Sequence, residues 1–143
     1  MGTAENKQLM QDVFAEFAKA NSRPFVDAMA DDFRWTIAGN GRWSRSYDGK
    51  QAVLGELFPA LRERIAGRIT MIGSRFIAEG DYVVVEARGS NITKTGVPYN
   101  NSYCFVCRLA GGKLVELTEY MDTELVTAAL GDPSSTSSAD TRS

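Results

Sequence analysis

Four side chains in the second half of the chain have the types and spacing to move a proton: Glu86, Arg88, Tyr103 and Glu119. Two carboxyls beside one guanidinium leave an excess negative charge. In a low-dielectric pocket that excess is disfavoured, so one glutamate keeps its proton near neutral pH while the other is ionised. An acid and a base then stand in one place. The expected roles are Glu119 as acid/base, Arg88 as its orienter and Glu86 as the second carboxyl. The Tyr103 hydroxyl can donate to a developing oxyanion, although a pocket wall is the plainer role for it. A buried Arg–Glu network that is satisfied and inert is the competing reading.

These residues meet only if strands bring them together. The stretch Asn100 to Asp122 has two runs of β-branched and aromatic residues flanking Ala110-Gly111-Gly112, a β-hairpin pattern. A two-residue Gly-Gly turn sets Cys104 opposite Glu119. A three-residue loop, Ala110 to Gly112, instead sets Phe105 opposite Leu117, Cys107 opposite Val115 and Tyr103 opposite Glu119. The second register sorts apolar with apolar and is the one expected. It puts Glu119 on the face of Tyr103, Phe105 and Leu117. The preceding run, Tyr82 to Thr93, joins the hairpin through Lys94 to Val97. A tight Thr95-Gly96 turn places Arg88 opposite Tyr103 and Glu86 opposite Phe105, roughly 5 Å apart across strands. Val83, Val85, Ser102, Cys104 and Val106 then share the other face, and a homodimer through the sheet would cover it.

The earlier chain supplies helices. Leu9, Met10, Val13, Phe14, Phe17 and Ala18 make one apolar face of a helix over residues 3–19. Ser22 and Pro24 open a second short helix, and Phe33 to Ala38 reads as a strand. A loop from Gly39 to Tyr47 carries Trp43, either as an aromatic flap at a pocket mouth or as a buried pin for the loop. Asp48 is expected to cap a third helix to about Ile65, kinked or split by Pro59; its Arg62, Glu63 and Arg64 read as a solvated face. A strand over 68–78 follows, and a short helix after Thr123 closes the domain, with Asp122 as a capping candidate. Residues 1–132 read as a single domain, and the Ser/Thr-rich residues 133–143 as a disordered tail. Asn101 and Trp35 are expected to line the cavity with Phe105, and Phe14 and Met10 to cover it.

Composition narrows the chemistry. The chain has 143 residues and no histidine. That removes His-dependent triads and nearly every zinc site, so no metal or organic cofactor is expected. Cys104 and Cys107 form C-x-x-C, but on a strand they face opposite ways, roughly 10 Å apart, too far for a disulfide. A net charge of −2 makes no case for nucleic acid or an anionic membrane surface. No apolar run approaches a membrane span, and the first residues lack a signal peptide's apolar stretch, so a cytoplasmic location is expected.

The order helix, short helix, strand, helix, four antiparallel strands is an α+β plan. With Ala30-Asp31-Asp32-Phe33, Tyr47-Asp-Gly-Lys-Gln-Ala-Val53, Cys107-Arg-Leu-Ala-Gly-Gly-Lys-Leu-Val-Glu116 and Glu119-Tyr-Met-Asp122, it resembles the nuclear transport factor two-like superfamily, in its SnoaL-like and ketosteroid-isomerase-like branch. The resemblance implies a cone: three N-terminal helices packed on a strongly curved antiparallel sheet, a short C-terminal helix and a pocket between. Ketosteroid isomerases carry a base and an oxyanion-donating acid where this chain has Ile37 and Phe105, which argues against that activity. Glu86, Arg88 and Glu119 match the acid–Arg–acid group of limonene-epoxide hydrolases, with the first two exchanged in order. That family's water-holding residues fall on Trp35 and Ile37. SnoaL-like cyclases keep an acid near the position of Glu119. The implied function is acid/base catalysis on a small apolar, oxygenated molecule by an isomerase, polyketide-cyclase-like or epoxide-hydrolase-like enzyme. The alternatives are a non-catalytic small-molecule binder and a dimeric interaction module.

Overall fold

A computed structural model describes residues 2–133. Helix α1 (Thr3–Phe17) and the short α2 (Arg23–Ala28) lead into strand β1 (Met29–Ile37). After β2 (Ser46–Asp48) come three consecutive helical segments: α3 (Lys50–Ala52), a π-wound turn (Val53–Leu57) and α4 (Phe58–Arg62). Strands β3 (Met71–Glu79), β4 (Tyr82–Gly89), β5 (Asn91–Ile92), β6 (Pro98–Tyr99), β7 (Ser102–Ala110) and β8 (Lys113–Met121) follow, then α5 (Thr123–Leu130).

The plan is mixed α+β: a large curved sheet with a few helices. The expected trio of N-terminal helices is not found as such. Two helices precede β1, and the third, expected as one element from Asp48, is broken. Asp48 lies in β2 and the run starts at Lys50 behind Gly49, which makes no side-chain cap. The π-wound turn sits just before Pro59. Proline has no N–H to give to the carbonyl four residues back, and widening the turn is one way to absorb that defect.

Six strands form the main sheet in the order β2-β1-β8-β7-β4-β3. It is antiparallel except at β1 and β8, which pair in parallel, so the wholly antiparallel expectation is corrected. Bulges between Met29 and Arg34, Gly73 and Arg75, and Arg108 and Leu109 interrupt the ladders; bulges of this kind add bend and twist. Phe14 and Phe17 of α1 pack over the concave face, Phe14 lying 5.7 Å from the Phe105 ring.

Both hairpin turns differ from expectation by one residue, in opposite directions. Between β7 and β8 the turn is the two-residue Gly111-Gly112, with Ala110 paired to Lys113. Both glycines have positive φ, +58° and +76°, the combination a tight right-twisting hairpin demands. Two residues on, a bulge inserts Val115: Leu109 pairs with Leu114 but Arg108 with Glu116. Phe105 therefore faces Glu119, and Tyr103 faces Met121. The expected pairs were wrong by two residues, an even number, so Glu119 still points inward.

Between β4 and β7 the error is odd. Thr93 N–H bonds to Val97 O at 2.8 Å around a three-residue loop, Lys94-Thr95-Gly96, with Gly96 at φ +90°. Val85 then faces Phe105, Ala87 faces Tyr103, and Arg88 faces Ser102. A one-residue slip exchanges the faces of a whole strand. Val83, Val85 and Ala87 are buried, while Glu86 and Arg88 lie on the outer face. The outer surface expected to carry Val83 and Val85 carries Val84, Glu86 and Arg88 instead, with Ser102, Cys104 and Val106.

Asp122 caps α5, accepting from the Glu124 and Leu125 N–H groups through Oδ1. The expected tail lies, from residue 134 on, outside the described residues. No helix among the described residues is long and apolar enough to cross a membrane.

Candidate functional site

A cavity of about 590 Å³ opens between the concave face of the sheet and the helices. Its far wall is β8 with β7 and β1, which bring Glu119, Phe105, Tyr103 and Trp35 into one lining. Phe25 of α2, Phe58 of α4 and Leu130 of α5 close the sides.

Glu119 is the buried carboxyl of this lining, 8 % exposed. β8 carries it between Phe105 on one side and Ile37 on the other, so apolar groups replace the water a carboxylate needs. Trp35, two residues before Ile37 on β1, points the same way, and its Nε1–H donates to Glu119 Oε1 at 3.0 Å. Oε2 accepts no hydrogen bond from any described residue. Burial pushes the Glu119 carboxyl up to about 7, against the partial relief of the Trp35 bond. Near neutral pH, then, both the acid and its conjugate base are populated.

Beside it stands a phenol pair. Tyr103 and Tyr99 stand close enough to influence each other, and both lie near enough to Glu119 to feel its charge. Burial raises Tyr99, and raises Tyr103 well above the ordinary phenol value, so both are neutral donors. Asn101 Nδ2 donates to Tyr99 Oη at 3.2 Å and to the Asp122 carbonyl at 3.1 Å. Its Oδ1 accepts from the N–H groups of Ser102 and Asp122.

The expected site is thus partly assembled. Glu119, Tyr103, Trp35, Phe105 and Trp43 line the cavity. Trp43 is also the loop's pin: its Nε1–H donates to Gly131 O at 2.7 Å, and the Arg64 guanidinium lies over its ring. Arg64 is itself a clamp, bonding the carbonyls of Ala60, Leu130, Asp132 and Pro133, which corrects its reading as part of a solvated face. Asn101 is 1 % exposed and ties β7 to β8 behind the lining. Phe14 is buried behind Phe105 and does not line the cavity. Glu86 and Arg88 do not converge on Glu119. Both are exposed on the opposite face, where Glu86 is 3.4 Å from Arg75, so no acid–Arg–acid group forms.

Tyr99 is a lining residue that the sequence reasoning above did not place. Its signal was available in the three-residue loop: pairing Tyr99 with Asn91 leaves it one turn of pleat from Asn101 and inside. Among the described residues no group of three or more His, Cys, Asp or Glu side chains could hold a metal ion.

Comparison with known folds agrees with this architecture. The chain is similar to a crystal structure of an NTF2-like protein from Burkholderia xenovorans LB400, with 23% identity, a TM-score of 0.69 and coverage of 91% of this chain and 98% of that one. It is similar to a putative SnoaL-like polyketide cyclase from Jannaschia sp. CCS1 at 20% identity, with a TM-score of 0.72 and coverage of 90% and 93%. It is also similar to a putative isomerase from Bacillus subtilis at 17% identity, with a TM-score of 0.74 and coverage of 92% and 96%. At these identities the likeness concerns the fold. Comparison with curated proteins gives no significant match. The family model for the SnoaL-like domain matches residues 10–117, and the chain belongs to that family.

Proposed function

We propose that the protein is a cofactor-independent acid/base enzyme that shuttles a proton on a small apolar, oxygenated molecule held in the cavity. The observation that carries this reading is Glu119: an inward carboxyl that burial pushes up to about 7, with one oxygen fixed by Trp35 and the other unpartnered among the described residues. Glu119 as carboxylate removes a proton from carbon next to a carbonyl. The electrons move onto the carbonyl oxygen as an enolate, and Glu119, now the acid, returns the proton at another carbon. Isomerisation is the simplest outcome; attack of the enolate on a second carbonyl would give a cyclase.

The enolate needs a donor. Tyr99 Oη already accepts from Asn101 Nδ2–H, so its own proton is left for a ligand oxygen. Such a donor, in a site sheltered from water, acts where charge develops. Glu86 and Arg88 have no part in this scheme.

The test is exchange of α-protons of an apolar cyclic enone into D2O, followed by NMR. The wild type should accelerate exchange, and Glu119→Gln should abolish the acceleration while the enone still quenches Trp35 and Trp43. Exchange at the wild-type rate in Glu119→Gln would remove Glu119 from the chemistry.

A non-catalytic binder is the second reading, favoured by the lining: Glu119 is its buried carboxyl, while the other lining carboxylate, Asp27, is exposed. For either reading a homodimer through the outer face of the sheet is part of the proposal. Ile77, Tyr82 and Tyr120 are about half exposed there, beside Val84 and Val106. Light scattering that returns a monomer at micromolar concentration would remove the dimer.

A further inference from the structure

Charge is unevenly spread over the cavity wall. Its buried end holds the Glu119 carboxyl. Its exposed lining residues include Arg23, Arg62 and Arg68 against one carboxylate, Asp27. The three guanidiniums come from separate places: the first residue of α2, the last residue of α4 and the loop before β3. No ion pair or side-chain hydrogen bond to a described residue engages any of them. The protein as a whole is acidic, with a net charge of −2, so a cationic rim stands out against its background. Three like charges around one opening repel each other, and an anion seated among them relieves that repulsion. Arginine's fork of N–H donors also matches the oxygens of a carboxylate, sulfonate or phosphate.

We infer that the cavity's ligand is an amphipathic organic anion whose apolar body fills the pocket and whose acidic group rests on Arg23, Arg62 and Arg68 at the mouth. This rests on the proposed function and narrows its substrate class. The orientation follows from the two ends. An anionic group is disfavoured deep inside, because it would put a second acidic group beside the buried Glu119 carboxyl among apolar walls. The end that enters is the neutral carbonyl end, which is the one Glu119 and Tyr99 can work on. The rim therefore selects the substrate and fixes which way round it lies.

The experiment uses two fluorescent probes with one skeleton. 8-Anilinonaphthalene-1-sulfonate is anionic, and N-phenyl-1-naphthylamine lacks the sulfonate. Both are titrated into the wild type, into Arg23→Gln, Arg62→Gln and Arg68→Gln singly and together, and into Arg75→Gln, whose guanidinium lies away from the cavity on the Glu86 side of the sheet. Each single rim change should weaken the anionic probe by about twofold and the triple change by about tenfold, the scale of exposed charge contacts. The neutral probe should stay within about twofold throughout, which also reports an intact pocket. Added salt should weaken only the anionic probe, and Arg75→Gln should change neither. If the rim changes leave the anionic probe unaffected, or weaken both probes alike, the inference is overturned while the pocket reading stands. If the wild type binds neither probe, both fail.

Discussion

Replacing Glu119 by glutamine should make the protein more stable, and increasingly so as pH rises. Glutamine keeps an oxygen to accept from Trp35 Nε1 and keeps the volume, but it cannot ionise. Burial lifts the Glu119 carboxyl from 4.5 to about 7. Between those values the folded protein holds a proton that the unfolded chain has released. Stability therefore falls as pH climbs through this window, and the full penalty is present above it. Integrated over the window, the cost in the wild type is roughly 1 kcal/mol at pH 5.5 and roughly 3 kcal/mol at pH 8.5. The glutamine variant carries none of it, and all other titrating groups are shared. The stability difference should grow by about 2 kcal/mol between those two pH values. Urea unfolding of both proteins at pH 5.5, 7 and 8.5 measures it. Parallel pH dependences would mean that Glu119 is not desolvated, and the argument for a working carboxyl would go with it.

Trp35→Phe removes the hydrogen bond that, among the described residues, favours the ionised carboxylate, so the Glu119 pKa should rise further. The pH at which unfolding stability levels off, and the rising limb of any proton-exchange rate, should both shift to higher pH. Gly111→Ala puts a side chain at φ +58° where nothing lies within 4 Å of the new carbon. Backbone strain alone should then cost about 1 kcal/mol, read from the urea midpoint, with Gly111→Asn costing less. The double change Glu86→Gln and Arg88→Gln should leave stability within about 0.5 kcal/mol and α-proton exchange unchanged, since both side chains stand outside. A large loss of exchange in that variant would bring the outer face back into the mechanism.

How much of this was legible in advance depended on the turns. Glu119 and its neighbours Tyr103 and Phe105 were placed on the correct face because apolar alternation on β7 and β8 is strong enough to survive a wrong pairing. The real hairpin combines a shorter turn with an extra residue, Val115, and the two together preserve parity. No sequence signal marks that bulge. On β4 the same reasoning failed. Val83, Val84 and Val85 are consecutive and equally apolar, so alternation cannot say which faces inward, and the decision passed to a turn with two possible lengths. The parallel contact of β1 with β8 was out of reach for a different reason: it joins residues 84 apart, as Trp35 and Glu119 are, and leaves no local pattern. Of the arginine rim, Arg62 was read as part of a solvated face and Arg23 and Arg68 carried no reading, because only the folded chain shows that three distant segments line one cavity.

The neighbouring placement of β1 and β8 has a consequence for how the chain acquires its structure. A ribosome releases β1 long before β8 exists, so one side of the early strand stays without a hydrogen-bonding neighbour while most of the polypeptide is made. The earlier strand cannot finish its pairing until the later one arrives, a topology of large sequence separation that folds slowly. During that wait β1 presents a bare edge rich in Phe33, Trp35 and Ile37, the kind of surface that chaperones hold and that sticks to other nascent chains.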